Sequence, residues 1–251
     1  MTNLSGIHLV TLGGKEVIFT KEQLIEAIED STNGKVKTPI GVLSLETPVR
    51  RNQLRRIPFD QIKDICGIAR AHGIALHLDG ARLFIDAAFS GKEIREYTSL
   101  FDTVYLSLYK SFNAVSGAIM AGDAALIDGL HNERRMFGGG LPSSWEQVAV
   151  ANYFFDGYEK RYQKAKELFR ELTKQLQNKK LFEIESLQHG SNVFKMTPLR
   201  KIDPDKFEAH LAKNGIKFPH WNAQDACYYI KMNDSLVFHR MDKVVQIFAK
   251  G

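Results

Sequence analysis

Two polar side chains in this sequence stand just past short apolar runs. Asp79 closes the run in His77-Leu78-Asp79-Gly80-Ala81-Arg82, and Lys110 follows Ser107-Leu108-Tyr109. The 31 residues that separate them leave room for one helix and one return strand. In an open α/β sheet, ligands sit outside the carboxyl ends of the strands, so both groups would reach one pocket. A carboxylate and a lysine in one crevice match what pyridoxal phosphate needs. The amine forms a Schiff base with the aldehyde and must lose its proton readily, while the carboxylate keeps the pyridine nitrogen protonated, which makes the ring an electron sink. Arg82 offers a planar fork to a carboxylate or phosphate, and Ser107 offers a hydroxyl to a phosphate oxygen. His77 lies two residues before Asp79 on the same strand and shares its face. Taken singly, each has a plainer reading: a helix N-cap for the aspartate, surface positions for the arginine and lysine, packing for the histidine. Their order at the ends of apolar runs is what points to chemistry.

The elements that must position them read as short apolar strand, polar turn and amphipathic helix, repeated, which is an α/β pattern with a parallel sheet. Ile7 to Leu12 reads as a first strand, followed by the Leu12-Gly13-Gly14-Lys15 loop. Thr20 with Gln23 makes a capping box for a helix that buries Leu24, Ile25 and Ile28 and ends at Ser31-Thr32-Asn33-Gly34. Pro39 to Leu45 reads as a buried strand. Pro58-Phe59-Asp60 starts a helix with Ile62, Ile65, Ile68 and Ala69 inward, closed by Gly73. Strands then span Ile74 to Leu78, Val104 to Leu108 and Ser116 to Ala121.

Beyond Pro142 the texture changes. Ser143 with Glu146 reads as a second capping box, and an apolar stripe of Tyr158, Tyr162, Ala165, Leu168, Phe169, Leu172 and Leu176 marks a long helix with a core face. Strands follow at Phe182 to Ser186, Asn192 to Met196, Cys227 to Lys231 and Ser235 to His239, with helices from Pro204 to Asn214 and from Asp242. The expected organisation is a large α/β domain over 1–145, a connecting helix over 146–178 and a small α+β domain over 179–251.

Composition excludes several classes. With 44% hydrophobic and 25% charged residues in 251, the chain is neither collagen-like nor largely disordered. No apolar run approaches the roughly 18 residues of a membrane span, and the first residues carry no basic start with an apolar core, so a cytoplasmic protein is expected. Cys66 and Cys227, without CxxC neighbours, read as buried apolar residues, and no metal site is expected. The net charge of +5 is spread along the chain. Its densest stretch, Arg50-Arg51-Asn52-Gln53-Leu54-Arg55-Arg56, lacks the interleaved aromatics of a nucleic-acid groove and reads as a solvated loop, so no nucleic-acid partner is expected.

Three strings carry a resemblance: His77-Leu78-Asp79-Gly80-Ala81-Arg82-Leu83-Phe84, Phe101-Asp102-Thr103-Val104-Tyr105-Leu106-Ser107-Leu108-Tyr109-Lys110, and Arg134-Arg135-Met136-Phe137-Gly138-Gly139-Gly140, with Leu45-Glu46-Thr47 ahead of them. In that order they resemble the threonine aldolase and aromatic amino acid β-eliminating lyase family of fold type I pyridoxal phosphate enzymes. The resemblance implies a transferase-like large α/β domain, here incomplete at its amino end, with a small carboxyl-terminal domain. It implies that Lys110 is catalytic and carries the cofactor, that Asp79 binds the pyridine nitrogen, and that Ser107, Arg82 and His77 line the cofactor. Arg82, Glu46 and Arg135 would contact the substrate. A small-domain partner for the substrate carboxylate is left open between Lys231 and Arg240.

The departures are specific. Family members extend further at the amino end, where they carry a phosphate loop and a ring-stacking histidine. Here Gly140 runs into Leu141-Pro142-Ser143 where the family often has Met-Arg-Gln, and Ser111 stands where glycine commonly follows the lysine. The expectation is a lyase cleaving a β-hydroxy or related amino acid, acting as a homodimer or homotetramer. The alternative is a non-catalytic remnant, or half of a split enzyme that needs a partner chain.

Overall fold

The computed structural model describes residues 5–33 and 35–251. Helix α1 (Lys21–Asn33) precedes strand β1 (Val42–Glu46), and a 3-10 turn (Arg50–Asn52) leads to α2 (Phe59–Ala71) and β2 (Ala75–Asp79). Helices α3 (Leu83–Ser90) and α4 (Ile94–Thr98) connect to β3 (Thr103–Ser107), one helical turn α5 (Leu108–Ser111) and β4 (Ala118–Gly122). Helices α6 (Ala124–Ile127), α7 (Leu130–Met136), α8 (Trp145–Phe155) and α9 (Tyr158–Asn178) follow. The last part holds β5 (Phe182–Ser186), β6 (Val193–Pro198), α10 (Pro204–Lys213), β7 (Tyr228–Lys231), a 3-10 segment (Asp234–Phe238) and α11 (Met241–Lys250).

The architecture is α/β. One sheet has the order β1-β2-β3-β4, with β1, β2 and β3 parallel and β4 antiparallel to β3; a separate antiparallel sheet has the order β5-β6-β7. Alternation along the parallel strands divides their side chains between two faces. Leu43, Leu45, Leu76, Leu78 and Val104 bury one face against Leu24 and Ile28 of α1 and Ile62, Ile65 and Ala69 of α2. The α2 residues recur at helical spacing, which is why this segment forms a helix with one apolar stripe. Gly73, at φ +70°, ends the segment in a left-handed turn. The other face carries Ser44, Glu46, His77, Asp79, Thr103 and Tyr105 in register.

The second core forms around α9. Tyr158, Tyr162, Phe169, Leu172 and Leu176 pack against Phe182 and Met196 of the antiparallel sheet and Phe207, Val245 and Phe248 of α10 and α11. Ile85 of α3 and Phe112 after α5 join the same cluster, so this core reaches the first sheet's helices.

Several sequence expectations change. Ile7 to Leu12 forms no strand: it has no ladder partner among the described residues and leaves Ile7, Leu9 and Val10 exposed. The expected connecting helix over 146–178 is two helices, because Gly157 takes φ +68° and breaks the run after Asp156. Ser143 does not cap; Ser144 is the N-cap of α8 and makes no side-chain cap bond. Ser235 to His239 is not a strand, since Asn233 Oδ1 accepts the Ser235 backbone N–H and turns the chain into a 3-10 segment.

The basic loop is only partly solvated. Arg50 and Arg51 are exposed, but Leu54 and Ile57 are buried, and Arg56 donates from its backbone N–H to His189 O (2.7 Å) and from Nε to Gly190 O (3.1 Å). Arg55 Nε donates to Gln188 O (2.9 Å) and Ser191 Oγ to Leu54 O (2.5 Å), so the loop ties the two sheets together.

One side of the first sheet is bare. All five residues of β4 are exposed, its outer edge pairs with no strand among the described residues, and Val115 (91% exposed), Trp145 (69%) and Tyr153 (76%) mark an apolar surface from β4 through α8. Sheets of parallel strands are ordinarily covered on both faces.

Leu176 sits fully buried where α9 meets α11 and β5. Leu176→Ala is expected to cost about 2–5 kcal/mol of unfolding free energy, read from urea denaturation, whereas Lys174→Ala, exposed on the same helix, should change it by less than about 0.5 kcal/mol. Equal effects would contradict the assigned core face.

Candidate active site

The parallel register fixes which residues meet. Glu46 pairs with Asp79 and Asp79 with Tyr105, so the carboxyl ends of β1, β2 and β3 form one edge. Ser107 ends β3 two residues further on, and the chain then turns into α5, which carries Lys110. Glycine is required at position 80, since a Cβ there would lie 2.9 Å from Tyr105 O. That close approach lets the chain leave β2 tightly against β3.

Asp79 is half-buried, and its Oδ1 accepts the Ala81 N–H (3.1 Å) in a local turn. Lys110 is half-buried with Nζ 5.3 Å from the centroid of the Tyr109 ring. The lysine's hydrogen bonding and positive charge hold the Tyr109 phenol below its ordinary pKa. Tyr105 is pushed up, first by burial and then by Tyr109, with Asp79 adding to the effect. Asp79 thus ends β2 beside Tyr105, and Lys110 lies in α5, three residues beyond Ser107 and next to Tyr109. Tyr105 was not singled out in the sequence; the signal that finds it is its register opposite Asp79, visible only once the strands pair.

Ser107 lies 3% exposed, and its hydroxyl makes no hydrogen bond of ordinary geometry among the described residues, although the Tyr105 and Tyr109 phenols are near enough to feel it. A buried hydroxyl left unmatched costs free energy unless something completes it. Its place beside the lysine turn suits a ligand acceptor such as a phosphate oxygen. An amine, a carboxylate, an arginine and an unmatched hydroxyl at one strand edge fit the donor set that pyridoxal phosphate requires.

Arg82 caps α3 and pairs with Glu46 at 3.9 Å, and Glu46 Oε1 also accepts the Arg50 N–H (3.1 Å). His77 contacts Thr103, Nδ1 to Oγ1 at 2.8 Å. Arg135 is exposed on α7, and no hydrogen bond or ion pair joins it to Glu46, Asp79, Arg82 or Lys110 among the described residues. Lys231 and Arg240 are likewise exposed, with Arg240 paired to Asp242 at 2.7 Å.

Beneath the edge, Asp86 is completely buried. It accepts hydrogen bonds from Thr47 Oγ1 (2.5 Å) and Tyr97 OH (2.7 Å). Burial raises its pKa, and the two hydroxyl donors and Arg56 oppose that rise. The sequence reading passed over this group because its partners lie 39 and 11 residues away.

Comparison with known proteins places these observations. Residues 1–198 match the family model described as Beta-eliminating lyase. A low-specificity L-threonine aldolase of Candida albicans is 31% identical over 226 residues, which is 87% of this chain and 57% of the relative. A probable low-specificity L-threonine aldolase of Schizosaccharomyces pombe is 38% identical over 116 residues, covering 46% of this chain and 30% of the relative. The chain therefore spans between about a third and somewhat over half of these two relatives. A crystal structure from Exiguobacterium sp. 255-15, assigned to the aromatic amino acid beta-eliminating lyase/threonine aldolase group, superposes with a TM-score of 0.79 at 26% identity, over 99% of this chain and 69% of that one.

Partial burial lowers the pKa of His77, and Asp79 opposes the shift without cancelling it. The folded protein therefore binds this proton less tightly than the unfolded chain does. The resulting stability is full above the unfolded value of about 6.5 and is lost as pH falls from there through the lower folded value. His77 should titrate below the ordinary histidine range by NMR, and His77→Asn should flatten the acid side of the stability profile near that pH. A His77 titration at or above the ordinary range would contradict the assignment.

Proposed function

This chain belongs to the beta-eliminating lyase family, and on that premise we propose that it is a pyridoxal phosphate-dependent lyase of threonine aldolase type, acting on a β-hydroxy or related amino acid. What supports the proposal is the register that sets Asp79 beside Tyr105, two residues before the buried Ser107 that ends the neighbouring strand and five before Lys110 in the turn that follows. When bound, pyridoxal phosphate supplies a protonated ring that takes up the electron pair of a breaking bond at the substrate's α-carbon.

The chain's own groups then divide the work. Lys110 would hold the cofactor through its amine, and that amine, when free, is placed to hold or return a proton at the substrate's α-carbon. Asp79 would hold the pyridine nitrogen, and Ser107 would hold the phosphate. Arg82 binds the substrate carboxylate as a fork, and Glu46 holds the guanidinium in place. His77, tied to Thr103, packs behind Asp79 and keeps a neutral ring there. Arg135, exposed and joined to none of these groups, takes no part in this reading.

A second reading is favoured by the bare side of the first sheet. An exposed β4 with Val115, Trp145 and Tyr153 exposed near it is the kind of edge and apolar surface that soluble proteins ordinarily cover. On this reading the chain works only with further polypeptide covering that side, a homodimer or homotetramer among the possible forms.

Purified with pyridoxal phosphate, the protein is expected to show the yellow absorbance of the lysine-bound cofactor. Lys110→Ala should abolish it, and cleavage of L-threonine or L-allo-threonine should vanish with it. Colourless wild-type protein that is monomeric and binds a hydrophobic dye strongly would favour the second reading over independent activity.

A further inference from the structure

The Glu46–Arg82 pair is partly exposed, and both of its members trace back to one buried group. Glu46 is followed by Thr47, whose side chain is fully buried. The Thr47 hydroxyl accepts the Ile57 N–H (3.2 Å), so its single proton is free to go to Asp86, 2.5 Å away. Tyr97 donates to the other carboxylate oxygen at 2.7 Å. On the opposite side, the Asp86 backbone N–H donates to Arg82 O (3.2 Å), so Asp86 sits one helical turn below Arg82 on α3. Both oxygens of the carboxylate are engaged, the group is 0% exposed, and the surrounding residues Leu83, Ile57 and Tyr97 are buried. A carboxylate in such a place is retained at a desolvation cost, which its two hydroxyl donors offset.

We propose that Asp86 is a positioning residue for substrate binding, acting through Thr47 on Glu46 and through the first turn of α3 on Arg82. One buried carboxylate thereby sets the spacing of the pair that receives an α-carboxylate. The Arg56 side chain, bonded to Gly190 O, lies near the same carboxylate, so the anchor sits where the two sheets meet. This inference rests on the reading of Arg82 as the carboxylate-binding group, and Asp86 itself touches neither substrate nor cofactor.

The test uses Thr47→Val, which keeps the shape and removes the hydroxyl, and Thr47→Ser, which restores it. Protein loaded with pyridoxal phosphate is titrated with glycine, and binding is followed by the change in cofactor absorbance. Thr47→Val removes the bond to the buried Asp86 carboxylate and the acceptor of the Ile57 N–H together; it should weaken glycine binding about tenfold, leave the lysine-bound absorbance in place, and be reversed in Thr47→Ser. In an Arg82→Gln background, Thr47→Val should have no further effect. Unchanged glycine affinity, or the same tenfold loss in the Arg82→Gln background, overturns the proposal. Should wild-type protein fail to load cofactor, the parent reading fails by itself, and the positioning claim is still decided by NMR of the Arg82 Nε–H in cofactor-free protein. Thr47→Val must then shift that resonance and speed its solvent exchange while Thr47→Ser leaves it as in wild type; an unmoved resonance in Thr47→Val refutes the claim.

Discussion

The in-register alignment of three parallel strands is the constraint on which the remaining structure depends. Because Glu46, Asp79 and Tyr105 are ladder partners, their side chains leave the same face at the same height, and Ser107 and Lys110 follow immediately beyond. A slip of one residue would send Asp79 into the apolar layer and Leu78 into the crevice. What prevents the slip is the opposite face, where Leu43, Leu45, Leu76, Leu78 and Val104 are buried against α1 and α2. Chemistry at the edge and hydrophobic burial beneath it are therefore two consequences of the same alternation.

The second structural theme is how polar groups behind the site are satisfied. The loop after β1 crosses from the first sheet to the 188–191 segment of the second, held by Arg55, Arg56 and Ser191. Its start is fixed by Thr47 on Asp86. Lys166 adds a bond from α9 to Ala88 O at 2.5 Å, so α3 is gripped from both sides. Arg82, at the head of α3, thus rests on a helix held at both ends. The bare side of β4 presents the opposite case: backbone and apolar groups with no partner among the described residues.

Much of this was legible in the sequence, and the failures have physical causes. The strands carrying Asp79 and Ser107 were found because apolar alternation ends at a polar residue, and α2 and α9 because their apolar positions recur at three and four. The Thr20–Gln23 capping box forms as expected, with both reciprocal bonds present. Ile7 to Leu12 has the composition of a strand, but a strand exists only when another pairs with it. The break at Gly157 was missed because apolar spacing continues across it, while the backbone takes a left-handed turn. Arg55 and Arg56 looked solvated because their acceptors lie more than 130 residues away. Asp86 and Tyr105 were passed over for the same reason: their meaning depends on neighbours that only the fold supplies.

The proposed function requires Asp79 to act directly on a bound pyridine ring held by Lys110. The most direct measurement is the 15N NMR shift of pyridoxal phosphate labelled at its ring nitrogen and bound to the protein. The account predicts a protonated nitrogen in the wild type and an unprotonated one in Asp79→Asn, with Lys110 still linked to the cofactor in both. An identical nitrogen shift in the two proteins would contradict it.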